Sequence, residues 1–208
     1  MNTRKKVLMV VDFTNDFVCE LTGALTVPGA SKIWQNIQNL IDSGNYDRIV
    51  YTFDTHTPDE YNGSDEQKIF PGIHCEFGTA GWFFYKIKPQ NNRAFGEFVQ
   101  KLDKPFEMVT FGNEAFFTKN VFDIWAGNKS FPEWFTNEFP VDETEVDVVG
   151  VATNYCVFMN VDGLVKRGYK VNVVSDAVEG IKAFPDGSVD PSFEANVQTM
   201  VDAGVTFK

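Results

Sequence analysis

Residues 146–168 read VDVVGVATNYCVFMNVDGLVKRG and join a predicted strand to a predicted helix. The apolar run Val146–Ala152 is typical of a buried strand, and Cys156 lies near the start of the helix that follows. Unpaired N–H groups and the dipole at a helix start stabilise a thiolate over a thiol. The stretch therefore indicates either a nucleophilic cysteine at a strand-to-helix elbow or a small buried hydrophobic residue. The helix shows an apolar stripe of Val157, Val161, Leu164 and Val165.

Strands and helices alternate along the rest of the chain in the same way. One further predicted helix begins near Ser31, and another carries Phe193, Val197 and Met200 on one face. Because strands that alternate with helices pair in parallel through right-handed crossovers, we expect a three-layer α/β sandwich with a mostly parallel, Rossmann-like sheet. One domain is expected to span residues 1–208. Six strands are predicted, at Val7–Asp12, Arg48–Asp54, Phe106–Thr110, Val146–Ala152, Lys170–Asp176 and Val205–Phe207.

Composition argues against several classes of protein. The net charge of −11 disfavours a surface that binds nucleic acid, which requires clustered Lys and Arg. The apolar runs are too short to span a bilayer, so no membrane partner is expected. The three cysteines, Cys19, Cys75 and Cys156, are irregularly spaced and fit no disulfide framework. A reducing cytosol is therefore the expected location, and a small molecule is the expected partner.

Chemically useful residues close several of the predicted strands. Asp12, Asp54 and Thr110 end the first three, and the Cys156 elbow follows the fourth. In open α/β sheets, ligands bind beyond the carboxyl ends of the strands. Each acidic residue alone is also consistent with a solvated loop carboxylate. Their convergence on one crevice favours a functional site.

Two long segments depart from the strand and helix pattern. Residues 55–82 form a Gly- and Asp-rich loop, and loops of that length are usually functional. Residues 111–139 are crowded with aromatic side chains, which either complete the core or form a lid or subunit interface. The second interpretation makes a homo-oligomer plausible.

Both histidines of the chain lie in the first of these segments. Asp54 and His56 are two residues apart, which places them on one face of an extended strand end. His74 follows 18 residues after His56, with Glu66 between them. Two imidazoles and two carboxylates suit Zn²⁺, Mn²⁺ or Fe²⁺ without selecting among them. The competing interpretation is a solvated acidic loop.

Three groups of motifs together resemble the isochorismatase-like cysteine hydrolases, and among them the nicotinamidase/pyrazinamidase branch. The motifs are VVDFTNDF with Asp12, DTHTPDEY with EQKIFPGIHCEFGTAGW, and GVATNYCV with VVSDAV. GVATNYC after an apolar strand is quite specific, and the resemblance covers nearly the whole chain. It implies the isochorismatase-like form of the α/β fold.

The resemblance also implies roles for individual residues. Asp12 would be the general base and Cys156 the nucleophile. The N–H groups of Ala152 and Cys156 would form the oxyanion hole, next to a cis peptide at Val151–Ala152. Phe17 and Phe70 would pack on the substrate ring. The implied metal ligands are Asp54, His56, Glu66 and His74, although FPGIH has one residue more than the family's commoner FPPH.

The family's third catalytic residue, a lysine in a K-x-x-Y-S-A-F context, has no evident counterpart. Aligning that context on Ala115 and Phe116 puts Thr110 in its place, while Lys104 and Lys119 have no obvious route to the site. The leading hypothesis is a metal-containing amidohydrolase of a small aromatic carboxamide such as nicotinamide. A hydrolase of an N-carbamoyl compound stays open, as does a non-catalytic relative that binds a ligand and a metal, which Thr110 favours. A vinyl-ether hydrolase of the isochorismate type is disfavoured by the cysteine and the metal set.

Overall fold

A seven-stranded sheet forms the middle layer of the molecule. The computed structural model describes residues 4–184 and 186–208, so residues 1–3 and 185 of the predicted domain lie outside the described residues. The strands follow the order β3-β4-β2-β1-β5-β6-β7, and the β3-β4 pair is antiparallel whereas the others are parallel. The strands are β1 (Lys5–Val11), β2 (Arg48–Asp54), β3 (Met108–Phe111), β4 (Glu114–Lys119), β5 (Thr144–Val151), β6 (Lys170–Glu179) and β7 (Thr206–Phe207).

Helices cover both faces of this sheet. Successive residues of β1 point to opposite faces, so Leu8 packs in one core and Met9 in the other. The predicted three-layer α/β sandwich with a mostly parallel sheet is therefore confirmed. None of the described helices has the length and apolar content that crossing a membrane requires. The helices are α1 (Asn15–Val18), α2 (Trp34–Asp42), α3 (Pro58–Tyr61), α4 (Asp65–Ile69), α5 (Asn92–Val99), α6 (Ile124–Gly127), α7 (Phe131–Glu138), α8 (Phe158–Lys166) and α9 (Ser192–Asp202).

The described sheet has seven strands rather than the predicted six, because the third predicted strand, Phe106–Thr110, does not include β4. Residues 106–110 only partly overlap β3, an edge strand that forms a hairpin with β4. The strand that enters the parallel sheet is β4, which pairs with β2. Every residue of β4 is buried, so its sequence EAFFTK shows none of the alternation that identifies a half-buried strand.

Most of the aromatic segment completes the core. Phe116 and Phe117 lie on opposite faces of β4, and Phe131, Phe135 and Phe139 are buried on the same side as Phe117. Most of the aromatic side chains that could have formed a lid or a subunit interface are therefore buried in the core instead. Among the large aromatics described in residues 111–139, Phe111, Phe122 and Trp134 remain partly accessible.

Gly150, near the end of β5, permits close approach of β1. Its φ is +112°, and a Cβ at this position would overlap the carbonyl oxygen of Val11. The register of β5 against β6 also shifts between Val148 and Gly150. Glycine is required here because the backbone of Val11 occupies the space of a side chain, directly before the residue that follows β1, Asp12.

We predict that Gly150→Ala lowers the free energy of unfolding by about 2–5 kcal/mol, since both backbone strain and overlap with Val11 oppose it. Gly44→Ala is the matched control, because Gly44 has φ +68° but has nothing within 4 Å of an added Cβ. Strain alone should cost about 1–2 kcal/mol there. Urea denaturation measures both variants, and equal losses would contradict the close-approach argument.

Candidate active site

Asp12 follows β1 at its carboxyl end and is held there by two hydrogen bonds. It is fully buried and has φ +48°, a conformation that Asp tolerates better than most residues. Its Oδ1 accepts hydrogen bonds from Thr52 Oγ1 at 2.7 Å and from the Asp54 N–H at 3.0 Å. The second oxygen, Oδ2, is thereby directed at the centre of the site.

Lys119 closes β4 and occupies that centre. Its Nζ lies 2.8 Å from Asp12 Oδ2, 3.1 Å from Asp54 Oδ1 and 3.5 Å from Cys156 Sγ. Burial lowers the pKa of Lys119, but the carboxylates of Asp12 and Asp54 outweigh it and hold the pKa well above its usual value. The ammonium is therefore charged throughout the physiological pH range.

The alignment that put Thr110 in the lysine's place is wrong. Thr110 is exposed on the edge strand β3 and pairs with Ala115, whereas Lys119 reaches the site directly from the end of β4. The signal was present in KNVFDIW at residues 119–125, where Lys119 is followed by aromatic residues three and six positions later. This spacing fits the K-x-x-Y-S-A-F context better than the alignment on Ala115 and Phe116.

Cys156 lies in a π-helical turn, Thr153–Val157, that leads into α8. Burial and the nearby carboxylates raise the pKa of its thiol well above the usual value, although Lys119 opposes them. The helix start therefore does not make a resting thiolate, contrary to the expectation from sequence. A thiol beside a buried carboxylate instead requires proton transfer before it can act as a nucleophile. The peptide at Val151–Ala152 is cis, as the resemblance implied.

The four predicted metal ligands lie in one buried cluster. Asp54, His56, Glu66 and His74 each offer a ligand atom within 4.8 Å of the others. His56 Nε2 is 3.1 Å from Asp54 Oδ2, and His74 Nε2 is 3.2 Å from Glu66 Oε1. Both imidazoles thus present Nε2 to the cluster. Such a set can hold a divalent metal ion.

The extra residue in FPGIH does not displace His74. The N–H of Cys75, the next residue, donates to Asp16 Oδ2 at 2.7 Å, which fixes the backbone at this point. His74 Nδ1 lies 3.1 Å from the carbonyl oxygen of Gly72, on the side away from the cluster. Gly72 is exposed and nothing lies within 4 Å of the position where a Cβ would be, so the loop has room for an additional residue here.

Electrostatics in this cluster favour a bound cation. Burial lowers the pKa of His74, but Asp54 and Glu66 raise it to about 10. The pKa of His56 is also raised, since Asp54 and Glu66 outweigh its burial. In addition, Glu66 Oε2 is buried and has no hydrogen-bond partner among the described residues. An orphaned carboxylate oxygen beside two imidazoles fits a divalent ion.

A narrow apolar pocket opens onto Cys156. Phe17 and Phe70, the residues predicted to contact a substrate ring, both line it, and so do Ala152 and Cys156. Sequence reasoning missed Phe122 and Tyr155, whose rings lie 5.6 Å apart at the same pocket. The remaining lining residues are Leu25, Val27, Glu66 and Ile181.

Comparison with known proteins extends the likeness over most of the chain. The family model for the isochorismatase domain matches residues 6–186. Nicotinamidase/pyrazinamidase of Mycobacterium tuberculosis is 29% identical over 189 residues, which cover 86% of this chain and 88% of that protein. Nicotinamidase of Saccharomyces cerevisiae is 27% identical over 206 residues, covering 87% and 91% respectively. The structure of pyrazinamidase of Pyrococcus horikoshii in complex with zinc has a TM-score of 0.70 at 22% identity, covering 98% of each chain.

We predict that Lys119→Met lowers the free energy of unfolding by about 3–5 kcal/mol, because it leaves two buried carboxylates without their counter-ion. Thr110→Val should change it by less than about 0.5 kcal/mol, since Thr110 is exposed. Urea denaturation with a chelator present keeps metal binding out of the comparison. Similar stabilities for the two variants would contradict the placement of Lys119.

Proposed function

This chain belongs to the isochorismatase family, and from that premise we propose that it is a metal-containing cysteine amidohydrolase. Its substrate would be a small aromatic carboxamide such as nicotinamide, hydrolysed to the acid and ammonia. The observation that carries the proposal is the contact of the Lys119 ammonium with both the Asp12 carboxylate and the Cys156 thiol. The nicotinamidases among its relatives support the choice of substrate class.

In the proposed reaction, the Asp12 carboxylate takes the proton of the Cys156 thiol, and Sγ attacks the amide carbon. The N–H groups of Ala152 and Cys156 donate to the oxyanion that forms. When the tetrahedral intermediate collapses, the C–N bond breaks and the leaving nitrogen takes the proton from Asp12. The products of this half-reaction are ammonia and a thioester at Cys156.

Hydrolysis of the thioester restores the site. Asp12 accepts a proton from water as the water oxygen attacks the thioester carbon, and the C–S bond then breaks. The sulfur takes that proton from Asp12, which restores the thiol and the carboxylate, and the acid leaves. Lys119 stays protonated throughout, because its ammonium is paired with Asp12 and Asp54, and it stabilises the negative charge that moves between Asp12 and Cys156.

Asp54, His56, Glu66 and His74 would hold the metal ion, which would supply a Lewis-acidic centre for a basic ring nitrogen of the substrate. The donor set suits Zn²⁺, Mn²⁺ and Fe²⁺. The zinc complex of the Pyrococcus horikoshii relative makes Zn²⁺ the first ion to test.

The lining of the pocket supports a neutral substrate. None of the ten described residues that line it is basic, and Glu66 is the one acidic residue among them. An N-carbamoyl amino acid or an isochorismate-type substrate carries a carboxylate, which this lining does not neutralise. A non-catalytic relative was favoured by Thr110 in the lysine's place, and Lys119 removes that argument.

We predict about one divalent ion per chain in protein purified without a chelator, measured by elemental analysis. His56→Ala should lose most of it, because three ligands remain. Zinc affinity should increase between about pH 6 and pH 8, since the metal displaces protons from imidazoles whose pKa values are raised. Unchanged metal content in His56→Ala would show that the ion binds elsewhere.

We predict that the metal-replete protein releases ammonia from nicotinamide, and from benzamide far more slowly because benzamide lacks the ring nitrogen. N-carbamoylglycine, an anionic amide, should be a poor substrate. Cys156→Ala should lower the rate by at least about a thousandfold. A coupled ammonia assay measures all three compounds.

Cys19→Ala is the matched control, because Cys19 is partly exposed and its sulfur accepts a hydrogen bond from Thr22 rather than from Lys119. Its activity should equal that of the parent. Activity that survives Cys156→Ala would mean that water, rather than the thiol, attacks the amide. A parent without activity on any amide would favour the non-catalytic, ligand-binding alternative.

A further inference from the structure

The two nitrogens of His56 face different partners. Nε2 points into the four-residue cluster, 3.1 Å from Asp54 Oδ2, whereas Nδ1 lies 3.3 Å from Glu60 Oε2. Glu60 is not one of the four cluster residues. An imidazole that binds a metal through one nitrogen carries its proton on the other, which then donates to a neighbouring acceptor. Glu60 supplies that acceptor for His56.

We propose that Glu60 is a positioning residue for metal binding: it holds the proton of His56 on Nδ1 and fixes the ring so that the Nε2 lone pair faces the cluster. This inference rests on the metal binding of the proposed function. A carboxylate is a strong acceptor for the N–H of an imidazole, so it selects the tautomer as well as the orientation of the ring.

The carboxylate of Glu60 is itself fixed from a second direction. Its Oε1 accepts a hydrogen bond from Asn120 Nδ2 at 3.0 Å, and Asn120 directly follows Lys119. The N–H of Thr55, next to His56, also donates to the Lys119 carbonyl oxygen at 2.8 Å. Glu60 therefore connects the loop that carries His56 to the strand end that carries Lys119.

His74 is oriented differently. Its Nδ1 lies 3.1 Å from the Gly72 carbonyl oxygen and 3.3 Å from the Tyr61 hydroxyl, with no carboxylate at this nitrogen among the described residues. A backbone carbonyl is less easily altered by mutation than a side chain. Removing Glu60 therefore affects the orientation of one metal ligand and leaves that of the other intact.

The position of Glu60 makes the inference testable without disrupting the core. About 35% of its side-chain surface is accessible, and it lines a broad surface cleft with Thr57, Asn120 and Lys129. Removing the side chain therefore creates no buried cavity. Asp59 precedes it on the same short helix, is exposed, and carries the same charge, so Asp59→Ala is a matched control for the loss of one carboxylate.

The experiment measures the Kd of Zn²⁺ by competition with a chromophoric chelator, for metal-free parent, Glu60→Ala, Glu60→Gln, Asn120→Ala and Asp59→Ala. We expect Glu60→Ala to weaken binding by about 10–100-fold. Glu60→Gln should lose less, because its amide oxygen can still accept from Nδ1. Asn120→Ala should weaken binding slightly, and Asp59→Ala should match the parent. The absorption spectrum of the Co²⁺-loaded protein should change in Glu60→Ala and should stay that of the parent in Asp59→Ala.

Two outcomes overturn the inference in different ways. If the parent binds Zn²⁺ tightly and Glu60→Ala matches Asp59→Ala in both Kd and Co²⁺ spectrum, Glu60 does not position His56, and the proposed function stands. If the parent binds no Zn²⁺, Mn²⁺ or Fe²⁺, the metal binding of the proposed function fails and this inference fails with it. Urea denaturation of each metal-free variant identifies any loss that comes from unfolding.

Discussion

The site depends on one buried cation placed between two buried carboxylates. Lys119 contacts Asp12 and Asp54 at 2.8 and 3.1 Å, and none of the three side chains is accessible to solvent. Removing these charges from water costs several kcal/mol per ion, and only close pairing offsets that cost. Burial raises the pKa of Asp54, but Lys119 and the hydrogen bonds from two histidines lower it well below the usual value. Each of these buried groups therefore keeps its charge only because its oppositely charged neighbours are present.

This dependence explains why the proposed catalytic pair and the proposed metal ligands are adjacent. Asp54 shares one oxygen with Lys119 and offers the other to His56 and His74. If both imidazoles are neutral, the three carboxylates of the site exceed its one ammonium by two negative charges. A divalent cation balances that excess. The same excess of negative charge raises the pKa values of both histidines, because a bound proton, like a metal ion, neutralises part of it.

Local motifs were enough to predict the fold and most of the cluster, because Asp12, Asp54 and the Cys156 turn lie at the ends of parallel strands, which bring their carboxyl ends together. Lys119 was missed because β4 is buried on both faces and has no polar alternation to reveal it. The direction of the Cys156 pKa was missed for a different reason. A helix start is visible in sequence, but the burial that outweighs it arises only when β1, β4 and the elbow pack together. The role of Glu60 could not be predicted from sequence either, since it depends on which nitrogen of His56 faces its carboxylate.

The separation of charged and apolar surfaces bears on turnover in the proposed reaction. Charged groups lie beneath the pocket, around Lys119, whereas the walls are formed by aromatic and aliphatic side chains. A neutral amide enters such a pocket without leaving a charge unpaired. The acid product loses a proton to become an anion, and no described lining residue is basic. Transfer of an ion from water into apolar surroundings costs far more than transfer of a neutral amide. The same lining that admits the neutral substrate therefore favours release of the charged product.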